Sequence, residues 1–341
     1  MNPSVEEGFF VQVAVTNRCN LSCRHCYREV RKPYPSEFTT EELVGLFHQI
    51  RSLAQYLGRS PHLVLSGGEP LTRHDVGLLI QVAESMGIAA DLNTNATLIE
   101  KEMAMALRQW GLNTVQVSLD GPSPEPHDAI RGPTNFHRAV SGIRHLLNQG
   151  MEVMIKVTLM PDHNTDQIPA FYSLANELGV QVLSFARLLP LGPGAKLSRW
   201  TPESYQEVLE AMGREAMKSP RTRTEIRDAG FNRAFSLNYP HLFQSEEGIS
   251  FLAIDAEGTV LAGRRAPVVV GNVREHSLES IWQHPILQAL RERQIKGKCA
   301  TCELFEVCGG GSRAAAFAET GDILAPDPHC WYEPSRDKLP Q

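Results

Sequence analysis

Apolar and polar residues follow two alternating periods over the first 190 residues of the chain. Short runs rich in β-branched residues, typical of buried strands, are separated by longer stretches in which apolar residues repeat at helical spacing. Thr39 and Glu42 form a capping box at the start of the first such stretch, and Gly58 stands where that helix should end. The predicted strands are 9–15, 62–66, 89–95, 114–120, 152–160 and 180–188, and the predicted helices are 41–57, 75–86, 100–110, 136–148 and 167–178.

The strand–helix alternation, repeated six times, predicts a parallel sheet joined by crossover helices. The expected fold class is therefore α/β. Six units favour an open, partial (β/α)6 barrel of the TIM type over a closed eight-stranded barrel. Active sites of such folds form at the carboxyl ends of the strands, so we expect the chemistry there.

The rhythm changes after residue 190, where the segment 191–244 is interpreted as a connection that carries a helix over 202–218. Gly192 and Gly194 do not complete a dinucleotide-binding fingerprint and are interpreted as turn residues. The predicted domains are a barrel over 1–190, this connection over 191–244, and a small cysteine-rich domain over 245–341.

The third region begins with a predicted hairpin over 249–265, in which Glu257 and Gly258 suit a tight turn. One helix is predicted over 278–293, and it leads into the cysteine-rich tail.

Composition narrows the class of protein. The 341 residues carry a net charge of -6 with no long basic run, so nothing indicates a nucleic-acid or anionic-membrane partner. The first residues lack the pattern of a signal peptide, and no apolar run is long enough to span a membrane. We therefore expect a cytoplasmic protein.

The seven cysteines form two groups at opposite ends of the chain, and the long middle has none. In a cytoplasmic protein such groups indicate metal ligands before disulfides, and scattered buried thiols would not divide in this way. The first group has only three thiols, which leaves a metal with an open coordination position. The groups are Cys19, Cys23 and Cys26, and Cys299, Cys302, Cys308 and Cys330.

The first group has the spacing CxxxCxxC directly after the first predicted strand, and in this it resembles the radical S-adenosylmethionine (SAM) superfamily. The resemblance implies that three thiolates hold three irons of a 4Fe-4S cluster, while the fourth iron binds SAM. An electron from the cluster would then split SAM to give a 5′-deoxyadenosyl radical, and an external flavodoxin or ferredoxin would supply that electron. A zinc site with a distant fourth ligand is the alternative.

Further polar residues lie at the ends of the next strands, where the family binds SAM. The sequence Ser66-Gly-Gly-Glu-Pro70 matches the family's GGEP element, in which the glycines allow close approach and the glutamate accepts from the SAM ammonium. Each of these residues can instead serve only to end a strand, cap a helix or pack a loop. The implied SAM contacts are Gly67, Gly68, Glu69 and Pro70, the amides of Asn93 and Asn95, Ser118 and Arg131 at the carboxylate, Asp120 near the ribose, and Tyr27 near the adenine.

The second group resembles the SPASM or twitch extension of radical SAM enzymes. Three positions that hold cysteine in a full SPASM pattern fall here on or near Ser245, Gly263 and Ser312, and all three belong to its first auxiliary cluster. The resemblance therefore implies that one auxiliary 4Fe-4S cluster remains, held by all four tail cysteines. Full ligation favours a role in electron transfer or in structure. A four-cysteine zinc ribbon is the alternative.

Candidate substrate contacts are three arginines. Arg264 and Arg265 stand where sulfatase-maturing relatives carry an acidic base, which argues against that activity. The pair can bind a carboxylate-bearing substrate or remain solvated. Arg187 ends the sixth strand, where it either faces the cavity or forms a structural salt bridge.

The resemblance leaves the substrate open. The breadth of the SPASM and twitch class favours hydrogen abstraction from a ribosomally made peptide, with a separate protein for peptide recognition. The tail Cys308-Gly-Gly-Gly-Ser-Arg is similar to relatives that modify propionate side chains of a tetrapyrrole. A non-catalytic metal-binding scaffold is the alternative of another class.

Overall fold

The computed structural model describes residues 8–28, 36–226, 249–263 and 265–334. Its centre is one ten-stranded sheet with the strand order β10-β9-β8-β1-β2-β3-β4-β5-β6-β7. Strands β1 to β7 are parallel, β8 also pairs with β1 in parallel, and β8, β9 and β10 are antiparallel to one another. The strands are β1 Gly8–Thr16, β2 Ser60–Gly67, β3 Ala89–Thr94, β4 Thr114–Ser118, β5 Glu152–Leu159, β6 Val182–Arg187, β7 Arg223–Ile226, β8 Phe251–Ile254, β9 Thr259–Gly263 and β10 Ala266–Asn272.

The helices that connect the strands follow the predicted amphipathic pattern. In the first of them, Leu43, Phe47 and Ile50 are buried against the sheet, and the capping box of Thr39 and Glu42 is formed as predicted. The helices are α1 Thr40–Tyr56, α2 Val76–Ser85, α3 Lys101–Gln109, α4 Pro124–Arg131, α5 Asn135–Asn148, α6 Ile168–Leu178, α7 Pro202–Lys218, α8 Leu278–Trp282, α9 Pro285–Arg291, α10 Phe305–Cys308 and α11 Arg313–Thr320.

The two faces of each barrel strand differ because successive side chains point to opposite sides. On β5, Val153, Ile155 and Val157 are fully or almost fully buried in the core, whereas Lys156 and Thr158 alternate with them on the opposite face. That opposite face lines a cavity whose wall includes polar and charged side chains. The partial parallel barrel predicted from the alternation is confirmed.

The structure adds elements that the sequence did not predict. Strand β7 extends the sheet beyond the sixth unit, β10 extends the hairpin, and α4 follows β4. The predicted helix over 278–293 is wrong, since it consists of two helices. Pro285 cannot continue a helix from the preceding turn, and His284 instead caps the second one by accepting from the amide of Ile286.

The cysteine-rich region is attached to the first strand of the barrel. The predicted hairpin is present, with Asp255 accepting from the amides of Glu257 and Thr259 at its turn. Trp282 of α8 packs edge-to-face on Phe9 of β1, with ring centroids 5.3 Å apart. None of the helices in the described ranges is long and apolar enough to cross a membrane.

Candidate active site at the carboxyl ends of the strands

The loop after β1 brings three thiols to one cavity. Cys19, Cys23 and Cys26 line a space of about 190 Å³ at the carboxyl ends of the barrel strands. Two backbone hydrogen bonds fix the start of this loop against the turn after β2, since the amide of Gly68 donates to the carbonyl of Thr16 at the end of β1 and the amide of Glu69 donates to that of Arg18, both at 2.8 Å. The predicted convergence of the first cysteine group on the strand ends is thus present.

Glycines lie on both sides of the cysteine loop, because the backbone there approaches the loop too closely for a side chain to fit between them. A Cβ on Gly68 would lie 2.1 Å from the carbonyl oxygen of Arg18. On the other side, Gly192 has a φ of +53°, and a Cβ there would lie 2.9 Å from the carbonyl oxygen of Cys26. Gly192, interpreted from sequence only as a turn residue, therefore makes room for the cysteine loop.

The surroundings of the cysteine loop act on the thiolate form in two opposite directions. Burial raises the pKa of Cys19 to about 11, although the amide of Leu21 donates to its Sγ at 3.5 Å. A guanidinium Nη1 of Arg131 lies 3.9 Å from the Sγ of Cys23, where it favours the thiolate that a metal binds. Three thiols on one cavity with a cation beside them fit a cluster held by three protein ligands.

Asp120 joins the cysteine loop to the barrel. It is fully buried, and its Oδ2 accepts from Arg131 Nε at 2.6 Å and lies 3.0 Å from His25 Nε2. Its Oδ1 accepts from the amide of Thr158 at 2.7 Å. Burial disfavours the charged form, but Arg131 and His25 outweigh it and hold the pKa of Asp120 well below its usual range.

Asp120, expected near the SAM ribose, is not among the residues that line the cavity. The carboxylate lies behind the cavity wall and not on it, so its observed contacts are to Arg131, His25 and the backbone. The sequence VSLDG could not reveal this, because His25 and Thr158 come from distant parts of the chain.

Glu69 is also buried behind the wall. Its Oε1 accepts from the hydroxyl of Thr94 at 2.8 Å and the amide of Leu71 at 3.2 Å, and its Oε2 accepts from the amide of Asn95 at 2.8 Å. Burial raises the pKa of Glu69 to about 7 against these three hydrogen bonds. Pro70 is buried beside it and begins a short 3-10 turn. Glu69 and Pro70 therefore shape the turn after β2, which adjoins the cavity where SAM is expected.

The other expected SAM contacts line the cavity. They come from the ends of different strands, which sheet pairing brings side by side; Asn93 of β3, for example, accepts from Gln116 of β4 at 2.7 Å. The structure brings together on the wall Tyr27, Gly67, Gly68, Asn93, Asn95, Ser118 and Arg131.

Sequence reasoning missed several polar residues on the same wall, among them His25 and Arg28 of the cysteine loop. Gln12, Gln116, Lys156 and Thr158 project from three of the strands into the cavity. The sequence did contain a signal for them, because polar residues alternate with apolar ones within these strands. Helices cover the outer face of a barrel strand, so its polar residues should point into the barrel.

The three candidate substrate arginines have different positions. Arg187 lines the cavity but forms a buried ion pair with Asp327, which favours the structural alternative. Arg265 also lines the cavity and donates to the carbonyl of Arg187 at 2.9 Å. Arg264 lies outside the described residues.

The four tail cysteines line a second cavity together. Burial raises the pKa values of Cys299 and Cys308 to about 11. Gly309 and Gly310 follow with φ of +66° and +88°, so the backbone turns tightly beside the thiols. Four thiols without a further acidic or histidine ligand at this cavity match the donor set of a fully ligated 4Fe-4S cluster.

The three departures from the SPASM pattern have separate outcomes. Ser312 caps α11, since its hydroxyl accepts from the amide of Ala315 at 3.3 Å. Gly263 ends β9 opposite Ala266, and Ser245 lies outside the described residues.

Within the described ranges, no three His, Cys, Asp or Glu side chains are arranged to hold a single metal ion.

Comparisons with known proteins agree with this geometry. The radical SAM superfamily matches residues 13–175, and an iron-sulfur cluster-binding domain, SPASM, matches residues 247–303. The AdoMet-dependent heme synthase of Methanosarcina barkeri is 32% identical and covers 94% of this chain and 96% of its own. The mycofactocin maturase MftC of Mycolicibacterium smegmatis is 28% identical over 95% of this chain and 83% of its own.

The fold has a counterpart among solved structures. The SAM-bound SuiB of Streptococcus suis superposes with a TM-score of 0.73 at 18% identity, over 95% of this chain and 77% of its own. These matches identify an enzyme that carries 4Fe-4S clusters and uses SAM. That interpretation replaces the alternatives of a zinc site and of a non-catalytic scaffold. From the cysteine geometry and these matches together, the chain belongs to the radical SAM superfamily and to its members with a C-terminal SPASM domain.

Proposed function

We propose that this enzyme abstracts hydrogen from a carboxylate side chain of a tetrapyrrole. The observation that carries the proposal is the 32% identity to an AdoMet-dependent heme synthase, which extends over nearly the whole of both chains. The breadth of the peptide-modifying class favoured a peptide on sequence grounds. The relative of higher identity reverses that order and leaves the peptide as the second candidate.

The charge of the cavity supports a carboxylate-bearing substrate. Five cationic side chains lie on its described wall, and no Asp or Glu side chain is among those wall residues. Arg131 and Arg187 are neutralised by Asp120 and Asp327. Arg265 makes no ion pair with another described residue, and a guanidinium in that position suits a carboxylate. The wall cations are Arg28, Arg131, Lys156, Arg187 and Arg265.

The roles proposed for the chain's own residues follow from their positions. Cys19, Cys23 and Cys26 would hold the cluster that binds SAM, and this pair supplies a 5′-deoxyadenosyl radical when bound. Ser118 and Arg131 would orient the carboxylate of SAM. Tyr27 would lie against the adenine, and the backbone at Gly67 and Gly68 would give SAM room, while Leu188 and Leu189 cover the wall with apolar surface that excludes water.

The tail would carry the auxiliary cluster on Cys299, Cys302, Cys308 and Cys330. Because four thiolates complete its coordination, it would pass electrons or support the fold without binding substrate. An external electron donor of the flavodoxin or ferredoxin type belongs to the same proposal, as does a separate recognition protein if the substrate is a peptide.

The test uses anaerobically reconstituted, dithionite-reduced enzyme with SAM and a haem precursor that bears free propionates. We expect 5′-deoxyadenosine by chromatography and a mass change in the tetrapyrrole. The methyl ester of the same precursor is the matched control and should not react, because it lacks the carboxylates. 5′-Deoxyadenosine without any change in the tetrapyrrole would overturn the substrate but not the radical chemistry.

Two variants separate the clusters in the same assay. Cys26→Ala should abolish 5′-deoxyadenosine and keep the tail cluster, whereas Cys299→Ala should lose about four irons per chain, the content of one cluster. Zinc in place of that iron in the parent protein would contradict the tail assignment.

The peptide candidate depends on the 28% identity to a mycofactocin maturase over 95% of the chain. A short peptide encoded beside this chain, added to the same assay, should change in mass if this candidate is correct. The tetrapyrrole would then stay unmodified.

A further inference from the structure

Arg187 and Asp327 form an ion pair in the interior, between the barrel and the tail. Both side chains are at most 1% exposed. Nη1 of Arg187 lies 3.1 Å from Oδ1 of Asp327, and its Nη2 contacts Oδ2, so the pair is two-pronged. The same guanidinium contacts His329 Nδ1 at 2.7 Å and lies 4.2 Å from the ring centroid of Tyr205 on α7. Arg187 is 140 residues from its partner in sequence.

Asp327 also connects the two segments that carry tail cysteines. Its Oδ2 accepts from the amide of Ser312 at 2.7 Å, at the start of the helix that follows Cys308 and its glycines. Its Oδ1 accepts from the amide of His329 at 2.9 Å, and its backbone carbonyl accepts from the amide of Cys330 at 3.1 Å. A single residue, through its carboxylate and its backbone carbonyl, therefore contacts the segments that lead to two of the four thiols.

Arg187 faces the other cluster site. It stands at the carboxyl end of β6 and lines the cavity that the N-terminal cysteines share. Its carbonyl accepts from Arg265 of the same wall at 2.9 Å. The ion pair thus connects the SAM cavity directly with the loops around the tail thiols.

The energetics favour a positional role. Burying two charges costs desolvation that an apolar pair of the same volume would avoid, so a buried ion pair contributes little net stability. A two-pronged guanidinium–carboxylate pair does fix distance and orientation. We propose that Arg187 and Asp327 are positioning residues that hold the tail cluster site in register with the SAM cavity. The proposal goes beyond the substrate and holds for either candidate.

The test compares Asp327→Asn and Arg187→Lys with the parent by iron analysis and EPR of the reduced protein, without substrate. Both variants lose the two-pronged pair, and each should bind the tail cluster roughly 10- to 100-fold more weakly, as is usual when a group that orients ligands is lost. The EPR signal of the N-terminal cluster and its change on adding SAM should persist. Arg187→Met, which removes the charge entirely, should weaken the tail cluster more than Arg187→Lys.

A potential measurement adds a readout that a merely structural role would not move. The Asp327 carboxylate accepts from the amides of Ser312 and His329, close in the chain to Cys308 and Cys330, and its negative charge contributes to the raised pKa of both thiols. Asp327→Asn removes that negative charge, so the remaining tail cluster should be easier to reduce and its midpoint potential should rise. The potential of the N-terminal cluster should stay the same.

The matched control is Glu319→Gln. Glu319 is on α11 of the tail and pairs with Arg199 at 3.0 Å, but this ion pair is exposed to solvent on the Arg199 side. Glu319→Gln should therefore change the iron content and the potential of neither cluster. Unchanged tail occupancy in both Asp327→Asn and Arg187→Lys, together with an unchanged tail potential in Asp327→Asn, would overturn the proposal. A parallel loss of both clusters would also overturn it, because the pair would then serve folding as a whole.

Discussion

Arg131 Nε lies 2.6 Å from Asp120 Oδ2, and the same carboxylate oxygen lies 3.0 Å from His25 Nε2 in the cysteine loop. Arg131 in turn faces the Sγ of Cys23 at 3.9 Å. A fully buried carboxylate thus sets the position of a cation beside the cluster thiols. Asp120 acts through Arg131 and His25, which places it one layer behind the cavity.

Asp120→Asn should disrupt this arrangement. It leaves Arg131 buried without its counter-charge, and removal of one partner from a buried pair costs about 3–5 kcal/mol of the free energy of unfolding. The rate of 5′-deoxyadenosine formation should fall roughly 10- to 100-fold. Urea unfolding of the apo protein and the rate assay measure the two effects.

The control for this variant is Asp91→Asn. Asp91 of β3 pairs with His62 at 2.8 Å, but its side chain is 25% exposed and does not line the SAM cavity. It should cost about 1 kcal/mol or less and leave the rate unchanged. Equal losses from the two variants would contradict the role given to Asp120.

The stability of the apo protein should depend on pH through Glu69. Its pKa rises from 4.5 to about 7 in the folded state, so the folded protein takes up a proton more readily than the unfolded chain. The resulting stabilisation is complete below pH 4.5 and is lost as the pH rises to about 7. In Glu69→Gln this loss, about 1.4 kcal/mol per pH unit, should be absent. Denaturation curves of both proteins across that range measure it, and parallel curves would contradict it.

Cys299 and Cys308 should be protonated in the apo protein at neutral pH. Burial raises the pKa of Cys299 from 9.0 to about 11, and the thiolate is the reactive form. Alkylation of Cys299, followed by mass spectrometry, should therefore accelerate about tenfold per pH unit up to about 11. In the unfolded chain the rate should level off near 9.0. If the alkylation rate in the folded protein also levelled off near pH 9.0, burial would not raise the pKa of Cys299.

Gly192→Ala should impair the cysteine loop. An alanine there must adopt a φ of +53°, and its Cβ would press on the carbonyls of Cys26 and Tyr27. Gly179→Ala is the matched control, because it has a φ of +76° but no atom within 4 Å of its Cβ. Left-handed backbone alone costs roughly 1–2 kcal/mol. Thermal denaturation should show a larger loss for Gly192→Ala, and only that variant should slow 5′-deoxyadenosine formation; equal behaviour would contradict the enclosure.

The features that sequence predicted correctly are local ones. Strand periodicity, the capping box at Thr39 and the hairpin turn at Gly258 depend on residues within a few positions of one another. The spacing of the cysteines in each group is local in the same way. The prediction of one helix over 278–293 was wrong, because the apolar periodicity continues across Pro285, a residue that cannot continue a helix from the preceding turn.

The sequence by itself determined the alternation of elements, the chemistry of the two thiol groups and the end of the barrel at which the first group lies. Only the tertiary structure decided that Asp120 lies behind the wall, that Lys156 reaches the cavity and that Arg187 joins Asp327 across 140 residues. The physical reason is that hydrogen-bond geometry and burial depend on which distant segments pack together. Chain-local patterns carry no record of that contact.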